Sequence, residues 1–129
     1  MNGQRTVLAP DARVRWAGRV YFIEIDRGTG SLNRLAGKVQ GYYDFRGCAE
    51  HRRFGEEFRL LVVAPHPHRE RQWLEQVARL ATLDGVPPLD VLTTTREAVR
   101  RQGCGAPIWR GVQDVNRRVR LTEELDGCG

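Results

Sequence analysis

The stretch EFRLLVVAP, from Glu57 to Pro65, constrains the fold more than any other part of the chain. It is nearly all apolar over a length typical of a strand, and it lacks the alternation of a strand with one solvated face. Such a run is typical of a strand that is buried on both faces of a sheet. We therefore predict a central strand here, with other elements packed on both sides of it.

The residues before this strand predict a β-hairpin. Asp11–Gly18 and Arg19–Asp26 each alternate between apolar and polar positions, and Ala17-Gly18-Arg19 between them is typical of a turn. Because side chains alternate across a strand, two carboxylates share one face near the end of the hairpin. The two faces of the second strand consist of Tyr21, Ile23 and Ile25 on one side and of Phe22, Glu24 and Asp26 on the other.

The rest of the chain alternates between helices and strands. A helix begins at the cap Ser31 and extends to about Phe45, because apolar residues recur there at helical spacing. After the central strand we predict a helix over 66–83, a strand over 89–95, a short helix over 96–103 and a small edge strand over 106–111. Residues 112–129 are polar, and we expect a loose tail.

This order of elements predicts a single domain over residues 1–129 of the α/β class. The sheet should be mixed, because a hairpin gives antiparallel pairing and the later β-α-β units give parallel pairing. The predicted architecture is thus an N-terminal β-hairpin followed by α-β-α-β, with the helices packed on the sheet.

The charge of the chain favours a polyanionic partner, and we expect DNA. Of the 21 cationic side chains all but Lys38 are arginines, and the net charge is +5. The planar fork of Arg suits phosphate groups. The sequence contains no apolar run of membrane length, no signal-peptide pattern and no CxxC pair. These features predict a cytoplasmic protein with neither a membrane span nor a zinc site.

Asp11, Glu24, Asp26 and Lys38 form the candidate catalytic group. Asp11 begins one strand of the hairpin, and Glu24 and Asp26 end the other. Lys38 lies about two turns into the following helix, and it reaches back over the strand if that helix packs on the same face. Three carboxylates suit Mg²⁺ or Mn²⁺, which would activate a water and polarise a phosphodiester. The simpler alternative is a set of solvated strand ends.

Lys38 is the one position at which the chain uses Lys rather than Arg. A compact ammonium positions a water or neutralises developing charge in a way that a planar guanidinium does not; the alternative is a leftover surface lysine. Tyr42, one turn along the helix, shares its face with Lys38 and either contacts DNA, acts as a nucleophile or packs in the site wall. We expect Arg27, Arg69 and Arg96 to contact the DNA backbone.

The same residues carry a resemblance to known proteins. Pro10-Asp11, a hairpin and then Glu24-Ile25-Asp26 resemble the PD-(D/E)XK nuclease superfamily. That superfamily normally has Lys at the third motif position, where this chain has Asp26, and Lys38 fits a lysine that has moved to the following helix. More narrowly, FIEIDRGTGSLNRLAGKVQGYYDF, FRLLVVAPHPHRERQWL, VLTTT and PIWR resemble the replication-relaxation family of plasmid and integrative-element proteins, over roughly residues 9–121.

The resemblance implies a restriction-endonuclease-like fold and a part in plasmid replication and DNA relaxation. Our favoured hypothesis is a metal-dependent endonuclease or nickase in which Asp11 and Glu24 hold the metal, Asp26 assists and Lys38 positions the attacking water. The alternative is a catalytically inactive module of the same fold that binds DNA or a protein, so the sequence leaves open whether the chain is an enzyme. Family members usually carry a winged-helix region before this domain, whereas only ten residues precede Asp11 here. We therefore expect either that the chain is a fragment of a longer protein or that DNA binding involves a separate DNA-binding domain or a homodimer partner.

Overall fold

This computed structural model describes residues 8–48 and 57–122, which contain six strands and three helices joined by turns and loops. The mixed sheet confirms the predicted α/β class. In chain order the elements are β1 (Ala12–Trp16), β2 (Arg19–Ile25), α1 (Leu32–Gly47), β3 (Phe58–Ala64), α2 (Pro67–Asp84), β4 (Val91–Thr95), α3 (Arg96–Gln102), β5 (Trp109–Gly111) and β6 (Arg118–Val119).

The predicted hairpin is present, and a two-residue turn closes it. Ala17 and Gly18 both have positive φ, at 53° and 77°. This conformation matches the right-handed twist of the flanking strands, and Gly adopts it without steric cost. The register pairs Val14 with Tyr21 and Arg13 with Phe22. The alternation read from the sequence therefore assigns the strand faces correctly.

The strands lie in chain order across the sheet, β1 to β6, with a parallel centre. β2 pairs with β3 and β3 with β4 in parallel, whereas the β1–β2, β4–β5 and β5–β6 pairs are antiparallel. α1 and α2 connect the parallel strands and pack together on one face of the sheet. The main core lies between these two helices and the sheet, and it includes Phe22, Val39, Leu60, Val62 and Val77.

Side chains in the connecting loops set where the helices begin. Ser31 Oγ accepts a hydrogen bond from Arg34 N (3.2 Å) at the start of α1, as its position in the sequence predicts. His66 Nδ1 accepts one from Arg69 N (3.2 Å) at the start of α2, where Pro67 occupies the first turn. These caps fix the helix starts that lie next to the ends of β2 and β3.

The second face of the sheet is covered only in part. α3, the segment before β5 and the residues after β6 pack over Tyr21, Leu61, Leu92, Trp109 and Val119. Towards the hairpin this cover ends, and apolar side chains of β1 and β2 remain exposed. The two faces of the sheet are thus unequally protected from water.

The segment after β4 differs from its prediction, because β5 is not an edge strand. β6 pairs with the side of β5 that faces away from β4, so β6 forms that edge of the described sheet. Residues 118–119, inside the stretch expected to be a loose tail, are therefore ordered by sheet pairing. Residues 123–129 lie outside the described residues. None of the described helices is long and apolar enough to cross a membrane.

A buried ion pair holds β6 in place. Glu70 on α2 is fully buried, and its Oε1 accepts hydrogen bonds from Arg118 Nη1 and from Thr93 Oγ1, both at 2.9 Å. Its Oε2 accepts another from Arg118 Nη2 at 3.1 Å. The carboxylate therefore connects α2, β4 and β6.

We predict that Glu70→Ala lowers the free energy of unfolding by about 3 kcal/mol, because it removes the carboxylate that compensates the Arg118 charge and accepts from the Thr93 hydroxyl, and it leaves Arg118 only the carbonyl of Ile108 (2.8 Å). Arg118 keeps 31% exposure of its side chain, which places the expected loss at the lower end for buried pairs. The matched control is Glu97→Ala, since the exposed Glu97 pairs with Arg101 at 3.1 Å and should cost about 0.5 kcal/mol or less. Urea unfolding measures both, and equal losses would contradict the role given to Glu70.

Candidate functional site

A cleft of about 180 Å³ opens where β2 ends and α1 and α2 begin. Loops at the carboxyl ends of parallel strands are the usual place for ligand sites in α/β sheets, because the chain diverges there towards the covering helices. The charged side chains that line the cleft are Asp11, Asp26, Arg27, Arg34, Lys38 and Arg69. The fold therefore brings Asp11, Asp26 and Lys38 of the predicted group to one cavity.

Glu24, the fourth member of the group, is buried beneath Lys38. Only 4% of Glu24 is exposed. Its Oε2 accepts a hydrogen bond from the Tyr42 hydroxyl at 2.5 Å, and its Oε1 lies 3.3 Å from Lys38 Nζ. Lys38 and Tyr42 are four residues apart on α1, so both face the strand that carries Glu24. The side chain of Lys38 remains 56% exposed, which places its ammonium between Glu24 and solvent.

Tyr42 acts in this structure as a hydrogen-bond donor. Burial raises the pKa of its phenol, and the hydrogen bond to Glu24 and the negative charges of Glu24 and Asp11 raise it further. The hydroxyl therefore stays protonated at neutral pH, which is the form that can donate to Glu24. This arrangement favours packing in the site wall over nucleophilic attack, since a nucleophile needs to lose its proton.

Asp26 makes hydrogen bonds through both of its oxygens. Oδ2 accepts from Arg69 Nε at 2.6 Å and from Trp73 Nε1 at 2.7 Å, and Oδ1 accepts from Gly28 N at 2.7 Å. Burial alone would raise the pKa of Asp26, but these hydrogen bonds and the charge of Arg69 outweigh it and lower the pKa below the ordinary 3.8. Asp26 therefore connects the loop after β2 to the first turns of α2.

Asp11 lies at the start of the hairpin, on the rim of the cleft. Its backbone N donates to Ile23 O (2.9 Å), and its Oδ2 accepts from Ile25 N (2.7 Å). The carboxylate thus extends the pairing of β1 with β2 by one residue and fixes the end of β2. Since Asp11 is exposed, its charge faces the cleft as well as the strand.

The four side chains predicted to contact DNA fall into two pairs. Arg27 and Arg96 are exposed, and Arg96 Nη2 donates to Asp26 O at 3.4 Å. Tyr42 and Arg69 are 2% and 7% exposed, and their polar atoms hold Glu24 and Asp26. Direct contact with DNA stays a prediction for all four, and the geometry favours it for the exposed pair.

Sequence reasoning did not single out Arg34 and Trp73, which also line the cleft. Arg34 lies four residues before Lys38 on α1, so helical spacing could have placed it on the same face. Trp73 belongs to the apolar stripe of α2, and nothing in its spacing distinguishes its indole N–H as a partner of Asp26. Its role depends on how α2 packs against the end of β2.

Among residues 8–48 and 57–122, no group of three or more His, Cys, Asp and Glu side chains is placed to hold a metal ion. The roles predicted for the three carboxylates in metal binding and for Lys38 in catalysis stay predictions.

Comparison with known protein families gives a match to the first part of the chain. The family model described as Replication-relaxation matches residues 1–60 of the 129. The matched part contains β1, β2 and α1, and with them Asp11, Glu24, Asp26 and Lys38. The match supports the resemblance to this family, whereas membership of the nuclease superfamily stays a prediction. No curated protein and no solved structure matches the chain.

We predict that Asp26 makes the fold sensitive to acid. Because the pKa of Asp26 is lower in the folded chain than its ordinary 3.8, the charged carboxylate stabilises the fold above that pH, and this contribution is lost as the pH falls through the folded value. Asp26→Asn should flatten the decrease of the unfolding free energy with falling pH below about pH 4, and Trp73→Phe should give an intermediate slope. Urea unfolding at a series of acidic pH values measures the slopes, and identical slopes in all three proteins would contradict this role.

Proposed function

We propose that this chain contacts DNA through the cleft, as part of the replication and relaxation of plasmid DNA. The observation that carries the proposal is the position of three exposed cations, Arg27, Arg34 and Lys38, around one cavity at the end of β2. The match of residues 1–60 to the replication-relaxation family supports it, because that region supplies all three.

The cleft has the chemistry that a phosphodiester backbone requires. Arg27 and Arg34 present planar guanidinium groups, which pair with phosphate oxygens through two parallel hydrogen bonds. Arg96 extends the positive surface from the start of α3, next to the loop that carries Arg27. The electrostatic part of such binding weakens with salt, because it is driven by the release of counterions from DNA.

Tyr42 and Arg69 support this surface from below. Each is buried and holds one carboxylate of the cleft in a single orientation. Their effect on DNA therefore acts through the shape of the cleft, whereas Arg27, Arg34 and Arg96 contact the backbone directly.

We predict that Arg27→Gln and Arg34→Gln together weaken binding of the chain to DNA. The slope of log affinity against log salt should fall by about 1 for each phosphate that the variant no longer neutralises. Arg27→Gln and Arg34→Gln are also made singly, and Arg79→Gln is the control for each single variant. Arg79 is an exposed arginine of α2 outside the cleft, and its guanidinium donates to Gln76 at 2.7 Å. Fluorescence anisotropy with a labelled duplex at several salt concentrations measures both quantities. An equal effect of Arg79→Gln, or a wild-type affinity that does not change with salt, would argue against the cleft.

Metal-dependent nicking of DNA is the second candidate function. The observation that favours it is the contact of the buried Glu24 with Lys38, which lines the cleft together with Asp11. Asp11 and Glu24 are the carboxylates that would hold Mg²⁺ or Mn²⁺, since Mg²⁺ commonly takes one or two, and Glu24 would exchange its 3.3 Å contact with Lys38 for the ion. A bound ion would supply an activated water and polarise the scissile phosphate.

Within this second candidate the residues of the chain have separate roles. Tyr42 fixes Glu24 by donating to one of its oxygens, which leaves the other directed at Lys38. Lys38 is exposed on its outer side and can follow a phosphate or a water with its mobile ammonium. Without a metal, the same contact neutralises Glu24 inside a binding cleft, which is the arrangement of a non-catalytic DNA-binding module.

We predict that wild-type chain nicks supercoiled plasmid in Mg²⁺ or Mn²⁺, and that Glu24→Gln and Lys38→Arg each lower the rate by about 10²–10⁴-fold. Lys38→Arg keeps the charge and changes only shape and proton chemistry, so it separates positioning of a water from attraction of DNA. The control is Arg79→Gln, which should nick at the wild-type rate. Binding of DNA without nicking would instead support the non-catalytic module, and nicking that neither substitution lowers would contradict the assigned roles.

A further inference from the structure

The face of the sheet opposite α1 and α2 carries an apolar groove of about 720 Å³. It lies on the far side of the sheet from the helices that form the cleft. Ile25 lines both cavities and Arg96 borders both this groove and the proposed DNA surface, so the tests below use Val14 and Arg120, which line the groove and not the cleft. β1, β2 and β3 form its floor, and the residues after β6 and those of α3 form its opposite wall. Its apolar lining includes Val14, Trp16, Ile23, Ile25, Val63 and Leu121.

Large apolar side chains of this groove are exposed to solvent. Trp16 is 52% exposed, and Val14 and Ile25 are each 42% exposed. On the other face of β2, Phe22 and Val20 belong to the core beneath the helices and are only 4% exposed each. Parallel strand pairs such as β2–β3 usually have both faces covered. Contiguous exposed apolar surface of this kind marks a site of interaction.

Among the residues that the structure describes, the charged side chains that line the groove are cationic. The charged side chains that line it are Arg96 and Arg120, both exposed, and within residues 8–48 and 57–122 no Asp or Glu lines it. Arg120 is held at the rim by a hydrogen bond to Gly105 O at 3.1 Å. A partner that fills this groove therefore has to match an apolar floor with cations at its margin.

We propose that this groove docks an amphipathic helix of a protein partner, whose apolar side chains are flanked by Asp or Glu. The apolar side chains cover the floor as α1 and α2 cover the other face, and the carboxylates meet Arg96 and Arg120. Nucleic acid suits the groove less well, since the floor is mostly aliphatic and Trp16 is its one strongly exposed ring among the described residues. A second copy pairing through β1 suits it less well too, because the arginines of the two β1 strands would then oppose one another.

Two synthetic helical peptides of about 18 residues, roughly 27 Å long, test the proposal with the full chain. Both carry Leu at the same helical spacing, and one has Glu and the other Lys at the polar positions. Trp73 and Trp109 are only 1% and 2% exposed, so a blue shift of tryptophan emission on binding reports Trp16. We expect the Glu peptide to bind at least about tenfold tighter than the Lys peptide, and Trp16→Phe to abolish the shift.

Three substitutions locate the binding surface. Val14→Glu and Arg120→Glu should each weaken the Glu peptide by about tenfold, since both place a carboxylate against it. Leu83→Glu is the matched control, because Leu83 is 66% exposed at the end of α2, away from the groove. The affinity of this variant for the Glu peptide should stay within about twofold of the wild-type value. Arg120→Glu decides the outcome alone if Val14→Glu unfolds the hairpin, as circular dichroism would show.

Three results would overturn the proposal. The first is equal binding of the Lys peptide, which removes the role of charge. The second is failure of the Glu peptide to shift the emission of the wild-type chain. The third is self-association that Val14→Glu abolishes and the Glu peptide does not displace, which assigns the groove to a second copy.

Discussion

The hydrogen bonds of Asp26 to Arg69 and Trp73 are the interaction on which the arrangement of the cleft depends. Asp26 directly follows β2, and its partners lie on the first turns of α2, so one carboxylate fixes the end of a strand against the start of a helix. Arg96 then adds the start of α3 through the carbonyl of Asp26. The Asp26 and Arg69 side chains are largely buried, and each compensates the charge of the other through a short hydrogen bond. Removing either side chain would therefore leave the other as an uncompensated buried charge.

With Asp26 engaged in this way, the second carboxylate of the strand is the one left to face Lys38. Glu24 lies two residues earlier on the same face, deeper under α1, and accepts from Tyr42 and Lys38. A buried carboxylate needs such donors, since desolvation without them disfavours its charged form. The two carboxylates of one short motif thus have different tasks: Asp26 holds elements together, and Glu24 is buried beneath the chain's one lysine, which lines the cleft.

The unequal cover of the two sheet faces has a similar structural origin. Helices that connect parallel strands in chain order lie on one face, which leaves the other to elements that follow β4. α3 has seven residues and covers only part of that face. The hairpin side therefore keeps exposed apolar residues such as Trp16, next to arginines of α3 and of the segment after β6.

The sequence by itself determined what depends on neighbours along the chain: the Ala17-Gly18 turn, the two faces of β2, the cap at Ser31 and the common face of Lys38 and Tyr42. These follow from backbone sterics and from the periods of strand and helix, which act over a few residues. Only the tertiary structure decided that Asp26 pairs with residues 43 and 47 positions away, and that Glu70 pairs with Arg118, 48 positions away. β6, which carries Arg118, pairs with β5 and makes β5 an inner strand. Such choices are absent from local patterns because a polar group acquires a definite partner only when packing of helices on the sheet removes it from water.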